Sequence, residues 1–119
     1  MDLGRFSVSL AVKDMEASLA FYSALGFEIV DGGHLHEGFA DTDTTKWRIL
    51  SSGAATIGLF QGMFQDNIMT FNPDDARAIQ RDLQAKGIAI LREADDEGTG
   101  PAHFVLQDPD GNTIMFDQN

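Results

Sequence analysis

The sequence has no cysteine among its 119 residues. This absence excludes disulfides, thiolate metal ligands and a cysteine nucleophile, and it agrees with a reducing compartment, so we expect a cytoplasmic protein. No apolar run approaches the roughly 20 residues of a membrane span, and residues 1–10 lack the basic start and apolar centre of a signal peptide. A chain of this length predicts one folded domain over residues 1–119.

Basic residues are also scarce. The 8 lysines and arginines stand against 19 acidic residues, which gives a formal net charge of -11. Lysine and arginine nowhere cluster with aromatic residues, so the sequence argues against nucleic acid as a partner. The acidic surface either attracts cationic ligands or only keeps the protein in solution.

The first half of the chain predicts a strand, a helix and three further strands. The helix starts at Asp14, a residue suited to cap free amide groups, and ends before Gly26. Its apolar residues recur at helical spacing: Met15, Leu19, Tyr22 and Leu25. The predicted strands are Phe6–Val12, Phe27–Val30, Trp47–Ser51 and Ala55–Gln61. Residues 31–45 are rich in glycine and predict a flexible flap, with a poorly specified strand at Leu35–Ala40.

The second half repeats this order faintly. A strand over Asn67–Phe71 precedes a helix that Asn72 is expected to cap, with Pro73 at its first position and its end near Lys86. A strand over Ile88–Leu91 and a loop over Glu93–Gly100 follow. The run Asp108-Pro-Asp-Gly-Asn112 predicts a turn between two last strands.

Several residues together resemble one superfamily: Val8–Val12, Asp14, Ser18, Phe21, Tyr22, Leu25–Phe27, and Asp108–Asn112 before a terminal strand. The chain is similar to the vicinal oxygen chelate superfamily, which contains glyoxalases, bleomycin resistance proteins and extradiol dioxygenases. The resemblance implies an α+β fold of two βαβββ modules, about residues 5–62 and 67–118, that form a curved open mixed sheet around a cavity. It also implies a homodimer.

The resemblance places four metal-ligand positions where this chain lacks the usual His, Gln or Glu. They are Ser7, Gly58, Ile68 (or Asn67, if the strand register slips by one) and Met115. A divalent ion needs several converging oxygen or imidazole donors, which glycine, isoleucine and methionine do not offer. We therefore expect no divalent metal cofactor, and the resemblance does not carry over glyoxalase or dioxygenase chemistry.

The same resemblance places a set of ligand-binding candidates around the cavity: Ser7, Ser9, Phe39, Trp47, Gly58, Phe60, Met69, His103 and Met115. Aromatic and methionine side chains suit a planar or mixed organic ligand, although each of these residues is at least as compatible with core packing. Four polar residues are candidate hydrogen-bond partners of such a ligand: Arg48, Gln61, Asn67 and Gln107.

The three histidines are the remaining candidates for acid–base catalysis or metal binding. His103 is a weak candidate for a catalytic acid or base, and the alternative is a structural histidine bonded to a carbonyl. His34 and His36 would point to the same side of an extended flap, as metal ligands do, or they are solvated surface residues. The sequence does not decide whether they bind anything.

Three functions remain open on these observations. The leading hypothesis is a metal-independent protein that binds a small, drug-like, cationic molecule. The alternative is a metal-dependent, glyoxalase-like lyase, isomerase or dioxygenase, in which His103 or the flap histidines supply ligands. The third is a fold retained only for protein association. Small organic ligands are the expected partners, and neither nucleic acid nor a membrane is expected.

Overall fold

The structure, a computed structural model, describes all 119 residues. Its elements, in chain order, are β1 (Arg5–Val12), α1 (Met15–Ala24), β2 (Glu28–Gly32), β3 (Lys46–Ser52), β4 (Ala55–Gln61), β5 (Ile68–Asn72), α2 (Ala76–Ala85), β6 (Ala102–Gln107) and β7 (Thr113–Gln118). Seven strands and two helices confirm the predicted α+β class. The chain divides into two compact units, which we call the first unit (Ser7–Asn67) and the second unit (Met1–Phe6 with Ile68–Asn119).

The first unit has the strand order β2-β3-β4-β1, with β1 parallel to β4 and the other pairs antiparallel. Helix α1 covers one face of these strands, where Met15 packs with Leu50 and Leu59. Side chains alternate between the two faces of a strand. The neighbours of Leu50 along β3 and of Leu59 along β4 therefore lie on the opposite face, which we call the helix-free face.

The start of α1 is fixed by two side chains. Asp14 is the N-cap, as predicted, and its carboxylate accepts a hydrogen bond from the backbone N–H of Ala17 at 3.2 Å. Gln61, at the end of β4, accepts from the backbone N–H of Met15 at 2.8 Å. These bonds satisfy amide groups that have no partner within a helix. Gln61 thus ties the helix to its sheet, a structural role for a predicted ligand contact.

The second unit has the strand order β5-β7-β6 and is covered on one face by α2. Its core centres on Phe104 and Phe116, whose rings stack with centroids 4.8 Å apart. Ala76 and Ile79 of α2 pack against them, and Ala102 and Leu106 complete the buried set. Neither helix, at ten residues, is long and apolar enough to cross a membrane.

Two predictions for the second half were wrong. The strand over Ile88–Leu91 does not form, and only an isolated bridge between Arg92 and Val105 remains there. Helix α2 begins three residues later than predicted, because Asp75 rather than Asn72 is its N-cap and accepts from the Ala78 N–H at 3.0 Å. Asn72 instead ends β5.

The loop between α2 and β6 is held by buried polar side chains of that helix. Arg77, which is 6% exposed, donates to the carbonyl of Asp95 at 2.8 Å and to that of Gly100 at 3.0 Å. The Arg77 side chain also bonds the Asp95 carboxylate and keeps its pKa below the usual value. Gln80 both donates to and accepts from the backbone of Ala94. These bonds fix the position of the loop, which follows the segment that was predicted as a strand.

Candidate functional site

Four of the predicted ligand-binding residues lie on the helix-free face of the first unit. Trp47 of β3 is paired with Phe60 of β4, and Gly58 of β4 is paired with Ser9 of β1. Paired residues on neighbouring strands share a face. The strand register therefore brings these four residues to one face.

Trp47 and four other rings form a connected set, which we call the aromatic cluster: His36, Phe39, Trp47, Phe60 and Phe64. The Trp47 ring is stacked nearly parallel with His36 (centroids 5.8 Å apart, planes 9° apart) and with Phe60 (6.4 Å and 8°). Phe39 meets Trp47 edge-on at 5.6 Å, and Phe64 is tilted against Phe60 at 5.4 Å. Phe39 is 61% exposed and the Trp47 side chain only partly buried, so the cluster is open to solvent.

The segment predicted as a flap is folded back onto β3, and no strand forms at Leu35–Ala40. The Gly33 N–H donates to the carbonyl of Trp47 at 3.0 Å, and the Asp41 N–H donates to the carbonyl of Gly33 at 3.1 Å. Asp41 is paired with Arg48 at 2.7 Å, and the hydrogen bond from Arg48 lowers the pKa of Asp41. Both ends of the loop are thus anchored beside Trp47.

Phe39 itself has an unusual backbone conformation. Its φ of 56° lies in the left-handed region, where a non-glycine residue pays a conformational cost of roughly 1–2 kcal/mol. The carbonyl of Phe39 accepts a 2.6 Å hydrogen bond from the indole N–H of Trp47. That bond and the edge-on ring contact offset the strain, so the loop is held in place by the tryptophan that it partly covers.

The place of one expected metal ligand is filled by an aromatic ring. A Cβ added to Gly58 would lie 2.5 Å from the Phe60 ring and 3.3 Å from Ile49. A histidine or glutamate at this position has no room while Phe60 keeps its place. Nor does any group of three or more His, Cys, Asp or Glu side chains have an arrangement that could hold a metal ion.

Replacing Gly58 with alanine is expected to push the Phe60 ring out of its stack on Trp47. We expect a loss of about 1 kcal/mol in the free energy of unfolding from overpacking, together with a shift in the fluorescence of the single tryptophan. Urea unfolding and emission spectra measure the two effects. The matched control is Gly38→Ala, because the space around Gly38 is open. A Gly58→Ala variant with unchanged emission would show that the ring does not depend on the glycine.

One site residue that the sequence did not indicate is Asp31. It pairs with Ile49 across a register shift in β2, between Ile29 and Asp31, which places its carboxylate on the helix-free face. The Oδ1 atom of Asp31 accepts from the Gly32 N–H at 2.8 Å and lies 2.6 Å from Nε2 of His36. His36 therefore makes two contacts within the protein: its ring stacks on Trp47, and its Nε2 atom hydrogen-bonds with Asp31.

Other predicted residues of the first unit have protein partners. Arg48 is paired with Asp41, and Asn67 accepts from the backbone N–H of Ala11 at 3.0 Å. Ser9 is buried and also has a partner within the protein. Ser7, two residues before Ser9 on β1, lies on the same face and is partly buried. For Arg48 and Asn67 the hydrogen bonds support a structural role.

In the second unit the predicted residues fall on different faces. Met115 pairs with Val105 of β6 and Thr70 of β5, whereas Met69 pairs with Ile114, a residue that packs on the α2 side. Because side chains alternate along a strand, Met69 does not share the face of Met115. The expectation that the two methionines converge is thereby corrected.

His103 is exposed and lies opposite Asp117, its partner in the β6–β7 ladder. Burial raises the pKa of Asp117, and the nearby His103 acts in the opposite direction. The predicted hydrogen-bond candidate Gln107 is exposed at the end of the same strand. Asp117 was not singled out in the sequence, because its place opposite His103 depends on the strand register.

A groove of about 340 Å³ in the second unit contains none of the predicted site residues. It is lined by Met1, Asp2, Asp74, Asp75, Ala78, Ile79 and Asp82. No aromatic ring lines it, and Asp75 is already engaged as the helix cap. The aromatic cluster, with its stacked rings and adjacent carboxylate, is the better candidate for binding an organic molecule.

The family model described as Glyoxalase/Bleomycin resistance protein/Dioxygenase superfamily matches residues 4–116. A member of that superfamily from Vibrio splendidus 12B01 is similar in structure, with 18% identity, coverage of 97% of this chain and 98% of its own, and a TM-score of 0.66. No curated protein matches the sequence.

Two further solved structures are similar over nearly their full length. A hypothetical protein from Bacillus halodurans C-125 has 14% identity, coverage of 99% and 94%, and a TM-score of 0.71. A methylmalonyl-CoA epimerase, in complex with methylmalonyl-CoA and NH4+, has 20% identity, coverage of 99% and 96%, and a TM-score of 0.70. At these identities the likeness establishes the fold alone.

Proposed function

This chain belongs to the Glyoxalase/Bleomycin resistance protein/Dioxygenase superfamily, and we propose that it is a metal-independent protein that binds a small, planar organic molecule. The observation that carries the proposal is the partly exposed aromatic cluster, in which Trp47 is stacked with both His36 and Phe60. Stacked aromatic rings offer large contact area with little directional demand. A planar ligand extends such a stack.

The charge of the protein favours a cationic ligand. The formal net charge is -11, and Asp31 lies beside the aromatic cluster on the same face. A negative field raises the local concentration of cations, and a ring face also attracts them. These features support a positively charged, drug-like compound over an anionic one.

Fluorescence of the single tryptophan tests the proposal directly, because that tryptophan is Trp47. Tag-free protein in EDTA is titrated with proflavine, a planar cation, and with 1-anilinonaphthalene-8-sulfonate, an aromatic anion. We expect saturable quenching by proflavine with one site per chain and weaker binding of the anion. Quenching that requires an added metal, or none with either compound, would contradict the proposal.

Metal titration separates this function from the metal-dependent lyase, isomerase or dioxygenase alternative. Nickel, zinc, iron(II) and manganese are added to metal-free protein while thermal unfolding is followed. We expect no stoichiometric binding and no rise in Tm, because Ser7, Gly58, Ile68 and Met115 stand at the expected ligand positions. Tight binding of one equivalent of metal, with a rise in Tm, would support the metal-dependent enzyme instead.

We further propose that the protein is a cytoplasmic homodimer. Apolar side chains of the first unit, Phe21, Leu25 and Val30, expose more than half of their surface. Such side chains often mark a surface that a partner covers. Sedimentation at two protein concentrations measures the oligomeric state, and a monomer at both would refute the dimer.

A further inference from the structure

His36 occupies the face of Trp47 in the way that a bound ligand would. Its imidazole is nearly parallel to the indole, with centroids 5.8 Å and planes 9° apart. At the same time its Nε2 atom lies 2.6 Å from Oδ1 of Asp31. A planar nitrogen ring is thus held by two contacts, one to a ring face and one to a carboxylate.

The proton in this contact lies on the imidazole. The hydrogen bond from His36 lowers the pKa of Asp31, so the carboxylate is ionised at neutral pH and only accepts hydrogen bonds. Nε2 of His36 must therefore be the donor. The Asp31 carboxylate and the Trp47 ring therefore bind, within the protein itself, a flat group that has an N–H at its edge.

We propose that His36 is a built-in competitor, and that the ligand of this protein carries a planar nitrogen cation, such as an amidinium or a protonated heteroaromatic ring, which displaces the imidazole from between Trp47 and Asp31. The inference rests on the proposed function and names the chemical class of the ligand. The cation replaces both contacts of His36, since it stacks on the indole and donates N–H to the carboxylate.

The imidazole is placed so that it can leave. The side chains of His36 and Asp31 are 47% and 44% exposed, and an exposed pair of this kind is weakly held. The loop is anchored on either side, where Gly33 bonds Trp47 and Asp41 bonds Gly33. His36 can therefore swing outward while both anchors stay in place.

Asp31 is the carboxylate that remains available for the cation. Asp41, on the same loop, is neutralised by Arg48 at 2.7 Å. Asp31 keeps its bond from the Gly32 N–H when His36 leaves, and its bonds to Gly32 and His36 both use Oδ1 rather than Oδ2. The two oxygens match the paired N–H groups of an amidinium.

Benzamidine and its neutral isostere benzamide test this inference, with Trp47 fluorescence as the signal. His36→Ala removes the competitor and is expected to raise the affinity for benzamidine about fivefold. Asp31→Asn is expected to reduce the preference for benzamidine over benzamide at least about tenfold, because the charge is lost. Leu35→Ala, an exposed and uncharged neighbour of His36 in the same loop, is the matched control and should change neither value.

A measurement on the unaltered protein complements the variants. On addition of benzamidine, the imidazole resonances of His36 are expected to move toward those of a solvated histidine. Two results would contradict the proposal that His36 competes with the ligand. They are unmoved His36 resonances, and an affinity of His36→Ala for benzamidine that falls or stays within twofold. If proflavine still binds through Trp47 in that case, the proposed function stands without this inference. If no planar compound binds at all, both fail.

Discussion

The Trp47→Ala variant is expected to bind proflavine about 100-fold more weakly than the unaltered protein, a loss of ~2.7 kcal/mol in binding free energy. Trp47 contacts three of the other four rings of the aromatic cluster, so its removal dismantles the stack. Central aromatic anchors carry losses of this size. The variant has no tryptophan, so calorimetry replaces fluorescence as the measurement.

The stability of Trp47→Ala is expected to fall less, by roughly 1–2 kcal/mol, because the side chain is only partly buried. Tyr22→Ala is the matched control: Tyr22 is also partly buried and in contact with two rings, but it packs on the α1 side. It should lose stability and keep its affinity. Parallel losses of affinity in both variants would assign Trp47 to packing.

A second substitution separates the ring of Trp47 from its N–H group. Trp47→Phe keeps an aromatic face but removes the bond to the Phe39 carbonyl. We expect its affinity to fall less than about tenfold, since the stacked area is largely retained. A loss as large as that of alanine would mean that the hydrogen bond, rather than the stack, organises the site.

The fold of the first half could be predicted because local chemistry and packing agree there. Asp14 both starts the apolar periodicity of α1 and caps it, and the strand β4 was placed with its observed bounds, Ala55–Gln61. In the second half these signals compete. Asn72 and Asp75 are both good caps, and the choice follows from Asn72 donating to the carbonyl of Asp117, 45 residues away.

The candidate site was predictable where it depends on alternation along regular strands. The family resemblance grouped Trp47, Gly58 and Phe60, and because β3 and β4 are uninterrupted, alternation along them places these residues on one face. Asp31 could not be placed in this way, since a register shift in β2 decides which face it occupies and no residue pattern marks that shift. Met69 was misplaced by a one-residue error in register, which moves a side chain to the other face.

The Phe104→Ala variant is expected to lose about 3–5 kcal/mol in its free energy of unfolding. Phe104 is completely buried, and its ring lies 4.8 Å from that of Phe116 at the centre of the second unit. Removing the ring leaves a cavity that the surrounding strands cannot fill. Urea unfolding followed by circular dichroism measures the loss, and Leu91→Ala, at 62% exposure in the same unit, should stay within about 0.5 kcal/mol.

The same variant tests our proposal that residues 1–119 form one domain. Trp47 lies in the first unit and Phe104 in the second, and each unit has only about 60 residues, a size at which a separate core is marginal. We therefore expect Trp47 fluorescence and circular dichroism to report one transition, shifted equally by Phe104→Ala. A fluorescence transition that stays in place while the other moves would mean that the units unfold independently, and each would then have to be stable on its own core.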